Sequence, residues 1–582
     1  MVDKMIKKKL QLNKYKELKE QYETKVNKLS NMRLIIFIIM LLSFILKHYY
    51  YELLLSIIFI LSLLTFIILI LIHDKYYKIY DYYNRYLEVL NTYIKRTNGE
   101  WKKFEDTGIE YLNNNNTYLS DLDILGNNSL YQLLNSAKTK GGKRKLVERL
   151  SNKNLKNLSN EQQAIEELTN NLAFCMNYQV HLSKYNDTHI DLCSNFKELS
   201  SNITPRNKDL IISIILTTLT LSSLLLSLLK IININYFYLI FIINFLINYL
   251  YSYIYLNEYK KLNKITKTYG NIHNLFKSIL NTNFTSTKLK DIKENITKNY
   301  TIINNLEQFE ILNDLRNNII SNFILNGLTN LNIFILVFFS NFINNNLTKL
   351  KDNISDIEEL EAMISIANLG IIKENITIPN STEDIHLSFT NIHHPLLDEK
   401  LCVTNNFDTK NGINIITGSN MGGKTSFLRT IGINMILMNA GGYVCASTFT
   451  ANYFKIFTSM RITDDIDACI STFYGELLRI KDMIEYLDKG NMLVLIDEIF
   501  KGTNYQDRIY GALEVIKKLN NNNTITFLTT HDFELCDIEN IKNYHVKEYY
   551  EDDKICFDYK IREGKCSSTN AKYLMKKLNI ID

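Results

Sequence analysis

The chain has 582 residues, 46% of them hydrophobic, and its 66 basic residues stand against 61 acidic ones. This length allows roughly two to four domains, and the even charge balance excludes an argument for nucleic-acid binding from net charge alone. The eight cysteines are spaced singly, without a Cys-x-x-Cys pair. This spacing gives no sign of a zinc site or a disulfide framework and predicts reduced thiols in a cytoplasmic compartment.

Two apolar runs follow each other near the N-terminus, with Glu52 between them. The second run, 53–72, contains no charged residue. A helix of about 20 residues is long enough to span the hydrocarbon core of a bilayer. The sequence therefore predicts a transmembrane hairpin over 32–72, which follows a basic helix over 1–31 and precedes a helical linker over 73–120.

A second pair of apolar runs predicts a transmembrane hairpin over 206–256, between two parts of a helical core at 121–205 and 257–385. Lysines flank both hairpins but are nearly absent from their turns. The positive-inside rule then predicts a multi-pass protein of the cell membrane, with the lipid bilayer as a partner and both termini in the cytoplasm. Four long helices in a soluble core are the structural alternative. The shorter run 332–343, which asparagine interrupts, favours a buried helix of a soluble domain, with a fifth membrane segment as the alternative.

A glycine-rich motif follows a predicted buried strand at 413–417. Its spacing, Gly-x-x-x-x-Gly-Lys-Thr, is that of a P-loop, whose backbone N–H groups hold phosphate oxygens. The next helix, predicted over 424–438, directs its positive end at the same phosphates. Lys424 is a catalytic candidate because it reaches the β- and γ-phosphates of ATP, and the Thr425 hydroxyl binds Mg²⁺. The candidate nucleotide contacts are Gly418, Ser419, Asn420, Met421, Gly422, Gly423, Lys424, Thr425 and Ser426.

Two further strands carry candidate catalytic residues. The run 492–498 predicts a hydrophobic strand that ends in two acids, of which Asp497 would hold Mg²⁺ and Glu498 would polarise the attacking water. The strand predicted at 524–529 is followed by His531, which is placed to sense the γ-phosphate. Strands separated by helical stretches predict an α/β sheet with its chemistry at the carboxyl ends of the strands.

These motifs resemble the ATPase domain of the MutS family of DNA mismatch repair proteins. The stretch 417–432, with its Asn-Met-Gly-Gly-Lys, resembles that family's P-loop, and 493–507 resembles its Walker B segment. The stretch 529–535 resembles its switch-histidine segment, and 393–397 resembles the His-Pro that precedes the domain. The resemblance implies an α/β P-loop NTPase, an ABC-type ATPase head, over 386–582. It also implies an all-α core and lever domain joined to that head.

The resemblance also implies a homodimer that forms through the ATPase heads. The stretch 459–480 resembles the segment with a Ser-x-Phe signature, which places Ser471, with Glu476 nearby, at the nucleotide of the partner subunit. The structural alternative for Ser471 is a helix N-cap. The stretch 557–580 resembles the closing strand and helix, in which Tyr559 is placed to stack on the adenine. A tyrosine packed within its strand is the alternative.

The likeness extends to the helical core, because 122–150 resembles its start and 354–369 its final helix. No stretch resembles the family's mismatch-reading domain, and the second hairpin stands where the family extends levers to a DNA clamp. The layout is most similar to that of membrane-anchored bacterial MutS-like ATPases.

Two functions from different classes are consistent with the sequence. The first is a membrane-anchored MutS-family ATPase that binds duplex or branched DNA through phosphate contacts, without base-level discrimination. The basic stretch 138–145 is a candidate contact, and a solvated helix start is its structural alternative. The second is an ATP-driven conformational switch at the membrane with no DNA ligand. An ABC-class transporter is disfavoured because the glycine-rich transporter signature is absent.

Overall fold

The computed structural model describes residues 2–50, 53–112, 116–151, 157–183, 207–419, 421–461, 472–551 and 554–566. The helices are α1 (Val2–Tyr49), α2 (Leu53–Thr97), α3 (Tyr118–Asp121), α4 (Leu130–Leu134), α5 (Lys140–Leu150), α6 (Leu158–Asn170), α7 (Leu172–Leu182), α8 (Asn207–Leu228), α9 (Ile234–Ile254), α10 (Leu256–Asn281), α11 (Thr287–Lys298), α12 (Tyr300–Asn317), α13 (Ile319–Thr329), α14 (Leu331–Ile372), α15 (Lys424–Asn439), α16 (Thr472–Tyr486) and α17 (Tyr505–Leu519). The strands are β1 (Asn380–Ser381), β2 (His386–Ile392), β3 (Asn405–Lys410), β4 (Gly412–Thr417), β5 (Thr448–Ala451), β6 (Lys455–Ser459), β7 (Met492–Asp497), β8 (Thr524–Thr529), β9 (Lys542–Glu551) and β10 (Lys554–Glu563).

The chain divides into two units, and the first comprises Met1–Trp101 with Ala173–Lys184. Its main feature is an antiparallel pair of long helices, α1 and α2. Aromatic rings pair between them: the ring centroids lie 4.1 Å apart for Tyr15 and Tyr86 and 5.7 Å apart for Phe44 and Phe59. Residue numbers rise along one helix while they fall along the other, so the predicted first hairpin is present as a helix pair.

Both helices are longer than the predicted membrane spans. The predicted basic helix 1–31 is not separate, because α1 continues from it into the first apolar run. Likewise, α2 continues to Thr97, well into the predicted linker 73–120. Neither helix contains proline or glycine, so no residue interrupts the backbone hydrogen bonds at the predicted boundaries.

Many apolar side chains of these helices are exposed, including Leu34 at 64% and Leu54 at 63%. An apolar surface of this extent is typical of a membrane or protein interface. Within the described ranges, four helical segments are long and apolar enough to cross a membrane, and a bent helix pair would add a fifth. The four are Leu12–Leu46, Leu53–Thr97, Lys208–Leu228 and Ile234–Ile254. These are properties of length and composition, so the membrane placement stays a prediction.

The second unit comprises Lys102–Leu172 with Tyr185–Asp582, and it contains the second hairpin, α8 and α9. The helices agree with the predicted bounds 206–256 to within two residues. Farther along, α13 and α14 meet at an angle of 87°. Asn330 at this break has φ 54, a left-handed conformation that asparagine adopts more readily than most residues. The sequence did not predict this break.

The helix α14 connects this break with the C-terminal sheets. Near its start, Asn332 donates a hydrogen bond of 2.8 Å to Ser252 of the second hairpin. Near its end, Gly370 lies so close to Tyr443 that an added Cβ would come within 2.9 Å of the ring. The apolar run 332–343 belongs to this helix and is largely buried, as predicted, while its assignment to a soluble domain stays a prediction, because the bent pair α13 and α14 would together be apolar enough to cross a membrane.

The basic stretch 138–145 forms the start of α5. Thr139 is the N-cap, and its side chain accepts a hydrogen bond from the Gly142 N–H. Lys143 pairs with Asp106 at 2.6 Å. The stretch is therefore a helix start, as its structural alternative stated, and part of its positive charge is neutralised within the chain; a contact of this stretch with DNA stays a prediction.

Glu361 of α14 is a buried carboxyl group behind this helix start. It accepts hydrogen bonds from the N–H groups of Lys138 (2.7 Å) and Thr139 (3.3 Å), and burial raises its pKa to about 7. Since the folded pKa exceeds the unfolded one, protonation stabilises the fold. The contribution is complete below about pH 4.5 and is lost as the pH rises through about 7.

We therefore expect Glu361→Gln to flatten the fall in Tm between about pH 5 and pH 8, because the amide keeps an acceptor oxygen but cannot ionise. Thermal unfolding of the full chain in detergent measures this slope. Glu383→Gln, at an exposed position, is the control and should behave like the unchanged protein. Equal pH slopes for Glu361→Gln and the unchanged protein would contradict the assignment.

Two β-sheets form the C-terminal part of the second unit. The larger has the order β10-β9-β4-β8-β7-β6, and the smaller has the order β1-β5-β2-β3. In the larger sheet only β10 is antiparallel to its neighbour. Strands β7 and β8 are buried almost throughout, as parallel strands covered on both faces are. The predicted strands 413–417, 492–497 and 524–529 agree with β4, β7 and β8 to within one residue.

Candidate functional site

The candidate site lies where the adjacent parallel strands β4, β8 and β7 end. The loop 418–423 leaves β4, and α15 begins at Lys424, close to the predicted helix start. Gly418 has φ 135 and Gly423 has φ 90, conformations that glycine adopts at little cost. A Cβ on Gly418 would lie 2.5 Å from Val546 Cγ2, so the neighbouring strand β9 also leaves no room for a side chain.

Lys424 is folded back against this loop. Its Nζ donates hydrogen bonds to the carbonyl oxygens of Gly418 (2.7 Å) and Ser419 (3.0 Å) and lies 3.4 Å from His531 Nε2. The residue is only 5% exposed. Burial lowers the pKa of Lys424, and the nearby carboxylate of Glu498 opposes this shift. A phosphate at this position would compete with the loop carbonyl oxygens for the ammonium group.

Asp497 is held at the end of β7 by two hydroxyl groups. Thr425 Oγ1 donates to its Oδ2 at 2.8 Å, and Thr529 Oγ1 donates to its Oδ1 at 2.6 Å. The two predicted magnesium ligands are therefore adjacent. Hydroxyl and carboxylate oxygens are the hard ligands that Mg²⁺ prefers, and Mg²⁺ usually takes its other ligands from phosphates and water. The described residues include no separate cluster of three or more His, Cys, Asp or Glu that could hold a metal ion.

Glu498 follows in a turn, with φ 59, a conformation that is uncommon outside glycine. Its N–H donates to the Thr529 carbonyl at 3.1 Å. Its Oε1 lies 3.3 Å from His531 Nε2, and its Oε2 lies 3.5 Å from Lys501 Nζ. The hydrogen bond with His531 is the main cause that lowers the pKa of Glu498 to about 2. The carboxyl group is therefore ionised at neutral pH, as a general base must be.

His531 lies in the loop after β8, and its neighbours fix that loop. Asp532 accepts two hydrogen bonds from Arg508 of α17, Nε to Oδ2 at 3.0 Å and Nη2 to Oδ1 at 2.9 Å. Such a bidentate pair restricts both side chains. Because His531 contacts both Lys424 and Glu498, the structure brings the three predicted catalytic residues together.

A cavity of about 350 Å³ opens beside the loop and is lined in part by 392–405 and Tyr559. Tyr559 has φ 54, lies in a register shift of β10 and is 46% exposed. Asn405 holds this irregular segment, because its Nδ2 donates to the Tyr559 carbonyl (3.0 Å) and its Oδ1 accepts from the Ile561 N–H (2.9 Å). The ring lies over Gly423 on the wall of the cavity, and stacking on adenine stays a prediction.

We expect Tyr559→Ala to raise the Kd for ATP by about tenfold, because it removes an aromatic stacking surface. Tyr559→Phe should bind nearly as the unchanged protein does. Titration with a fluorescent ATP analogue measures both. Tyr510→Ala, at another exposed tyrosine, controls for general effects. Unchanged affinity for ATP in Tyr559→Ala would favour the alternative, in which Tyr559 only packs within its strand.

The other predicted loop residues differ in their surroundings. Ser419 Oγ donates to Glu548 Oε2 at 3.1 Å. Gly422 packs against β9, and Met421 is 82% exposed with φ 72. Ser426, in the first turn of α15, lines the cavity. These residues therefore lie around the predicted phosphate position, and each has a different environment.

Two predicted residues, Asn420 and Ser471, lie outside the described residues. The contact of Ser471 with a partner subunit therefore stays a prediction. Glu476, which the sequence places near it, is buried in α16 and accepts a hydrogen bond from the Phe500 N–H at 2.6 Å. Burial raises the pKa of Glu476. Glu476 thus supports the turn that follows β7.

Three residues that support the site were missed by sequence reasoning. Thr529 could have been found, because it ends the strand next to Asp497 and directly precedes the Thr-His pair. Arg508 and Asn405 carry no local signal, since each acts on a segment far along the chain.

The beginning of the helical core is attached to the same region. Asp121 is fully buried and accepts hydrogen bonds from Thr458 Oγ1 and Arg479 Nη1, both at 2.7 Å. Asp123 lies 3.4 Å from Arg429 of α15, the helix that starts at the predicted P-loop. A displacement of α15 would therefore reach the helical core directly.

Comparison with known proteins places the likeness in the C-terminal part of the chain. Residues 414–577 match the family described as MutS domain V. The chain is 30% identical over 256 residues to "Endonuclease MutS2" of Clostridium novyi, a match that covers 43% of this chain and 32% of that protein. It is 32% identical over 230 residues to "DNA mismatch repair protein MutS" of Listeria welshimeri, with 38% and 26% covered.

A third relative, "DNA mismatch repair protein MutS" of Aquifex pyrophilus, is 27% identical over 299 residues, with 49% of this chain and 32% of that protein covered. The chain thus spans about a quarter to a third of the length of these relatives. The matches support the MutS family, and the mixed sheets and many helices fit a MutS-like fold.

Proposed function

We propose that this chain is a membrane-anchored, Mg²⁺-dependent ATPase of the MutS family. The proposal rests mainly on one observation, the grouping of Lys424, Thr425, Asp497, Glu498 and His531 at the ends of three adjacent parallel strands. The loop N–H groups and Lys424 would bind the ATP phosphates. Thr425 and Asp497 would hold Mg²⁺, which supplies positive charge to the transferred phosphoryl group.

The proposed reaction is the hydrolysis of ATP to ADP and phosphate. Glu498 orients and polarises the attacking water, because this carboxylate is ionised and lies at the same strand ends as Lys424. His531 holds Glu498 through the hydrogen bond between them and lies beside Lys424. Ser471 of one subunit is proposed to contact the nucleotide of the other in a homodimer of the ATPase heads.

The bilayer is the proposed partner of both helix hairpins. Their exposed apolar side chains support this placement, and the flanking lysines support an orientation with the ATPase head and both termini in the cytoplasm. Relatives are named DNA mismatch repair proteins, so duplex or branched DNA is the proposed ligand. The contacts would be made to phosphates, without discrimination between bases, because no stretch of the sequence resembles the mismatch-reading domain.

A switch at the membrane without a DNA ligand is the second candidate, and α14 favours it. This single helix contacts the second hairpin through Asn332 and the C-terminal domain through Gly370. The pair Asp123–Arg429 adds a connection to α15. ATP binding at the loop would then move the second hairpin through the contacts of α15 and α14.

A gel shift with the purified full chain in detergent separates these two candidates. Matched, mismatched and branched duplexes are compared at low and high salt, with and without ATP. Binding that weakens with added salt supports the DNA ligand. Absence of binding at low salt, together with ATP turnover, supports the switch. Failure to retain ATP with Mg²⁺, or release of the chain from membranes by an alkaline wash, would reject the proposed function.

A further inference from the structure

Five asparagines meet at the break between α13 and α14. Two of them, Asn244 and Asn248, come from α9 of the second hairpin. The others, Asn326, Asn330 and Asn332, flank the break. Each is at most 4% exposed. Such a concentration of buried amide groups beside apolar helices needs a physical explanation.

The amide N–H groups in this cluster have partners. Asn244 Nδ2 donates to the Gly327 carbonyl at 3.0 Å, and Asn248 Nδ2 donates to the Asn326 carbonyl at 3.3 Å and to Asn330 Oδ1. Because backbone carbonyls only accept, these contacts fix which end of each amide is the nitrogen. The side-chain oxygens of Asn244 and Asn248 must therefore face elsewhere.

Those oxygens are unsatisfied. Among the residues that the structure describes, Oδ1 of Asn244, Asn248 and Asn332 and Oγ of Ser213 are buried without a hydrogen-bond partner. All four can accept, and three can only accept. Leaving one buried polar atom unpaired costs about 1–3 kcal/mol, so this set of four oxygens is a place where a bound cation or a bound water molecule would be stabilised.

The cluster lies inside the second hairpin. Ser213 is six residues after Asn207, where α8 begins, and Asn248 is six residues before Ile254, where α9 ends. At about 1.5 Å per residue this is a depth of about 9 Å. In the proposed membrane placement the break lies below the membrane surface, where a broken helix is tolerated if it is buried in protein or lines a water-filled cavity.

Charges near the cluster favour a cation. Asp209 is one helical turn before Ser213, and its Oδ2 accepts a hydrogen bond from Tyr251 Oη at 3.2 Å. Arg316 carries a positive charge in this region, and its guanidinium lies 3.9 Å from the centroid of the Tyr259 ring, so part of that charge is compensated by the ring. The Tyr259 hydroxyl in turn donates a hydrogen bond to the backbone carbonyl of Asn332, a member of the cluster, at 2.6 Å.

We propose that the break between α13 and α14 binds an alkali metal cation, Na⁺ or K⁺. These ions are coordinated in membrane proteins by carbonyl and hydroxyl oxygens, often at broken helices. A bound water molecule would also satisfy the oxygens, but the stability of the protein would then not depend on which cation is present. The inference does not rest on ATP binding.

The test is the Tm of the full chain in detergent, with NaCl or KCl exchanged for choline chloride at constant ionic strength. We expect a saturable rise in Tm with Na⁺ or K⁺. Ser213→Ala removes an oxygen that makes no hydrogen bond among the described residues, so loss of folding is not expected. It should raise the half-saturating cation concentration by on the order of tenfold. Ser222→Ala, at an exposed position on the same helix, should leave it unchanged.

Asn332→Asp is the second variant, and we expect it to lower the half-saturating cation concentration, which Ser213→Ala should raise. The carboxylate can accept from Ser252 Oγ, which now accepts from the amide, and it adds a negative charge. A cation site should then saturate at about tenfold lower concentration. A dry or water-filled network would instead be destabilised by the buried charge in all salts alike.

Equal Tm values of the unchanged protein in sodium, potassium and choline salts would overturn the proposal. So would an Asn332→Asp variant that is destabilised without any response to alkali cations. Because neither measurement involves a nucleotide, failure here is distinguishable from failure of the proposed ATPase function.

Discussion

Glu498→Gln is expected to bind ATP with unchanged affinity and to hydrolyse it at least about a hundredfold more slowly. Glutamine has the same shape, and the backbone N–H of residue 498 keeps its hydrogen bond to the Thr529 carbonyl. The amide cannot accept a proton from water, so the chemical step loses its base. Substrate binding depends mainly on the loop and on Lys424, whose Nζ is held by the Gly418 and Ser419 carbonyl oxygens rather than by Glu498.

Single-turnover release of labelled phosphate measures the chemical step, and equilibrium binding of ATP measures affinity separately. The proposed dimer adds a readout, since the variant should accumulate as an ATP-bound dimer by size-exclusion chromatography with light scattering. Glu514→Gln, which changes an exposed glutamate that pairs with Lys517 at 2.8 Å, is the matched control. A normal hydrolysis rate in Glu498→Gln would show that another group is the base.

Asp497→Ala is expected to abolish Mg²⁺-dependent turnover. Asp497 is the predicted metal ligand, and its two oxygens also accept from Thr425 and Thr529. Alanine leaves both hydroxyl groups without this acceptor, which costs stability of about 1–3 kcal/mol. Loss of activity alone would therefore be ambiguous.

Asp497→Asn separates the two effects. The amide retains polar atoms beside both threonines but lacks the charge that holds Mg²⁺, so the fold should persist while turnover is lost. The Mg²⁺ concentration that half-saturates hydrolysis is the readout, and Tm reports the fold. Asp488→Ala, at an exposed position, is the control. Turnover that survives unchanged in both Asp497 variants would reject the metal role.

The sequence predicted the site where its signals are local. Runs of apolar residues predicted the strands β4, β7 and β8, and the spacing of the glycines predicted the loop and the start of α15. The contacts that orient the site are not local. Asn405 fixes the segment around Tyr559, which lies 154 residues farther along the chain, and Arg508 fixes the loop of His531 through Asp532. Long-range hydrogen bonds of this kind leave no spacing pattern to detect.

The helices show the same division between local and long-range information. Apolar runs predicted both hairpins, and α1 and α2 extend beyond the predicted membrane segments because no helix breaker stops them there. The break at Asn330 was not predicted, since asparagine only tolerates the left-handed conformation and does not require it. Its hydrogen bonds to α8 and α9, which come from distant parts of the chain, stabilise the break.

The length of α14 has a mechanical consequence. Its 42 residues form one continuous helix, which at about 1.5 Å per residue measures about 60 Å. If its end at Gly370 acts as a pivot, a tilt of about 5° sweeps the opposite end through about 5 Å, nearly one helical turn. Hydrogen bonds at Asn330 tolerate far less than that. A rotation too small to disturb the packing beside the sheets would therefore be amplified into disassembly of the asparagine cluster.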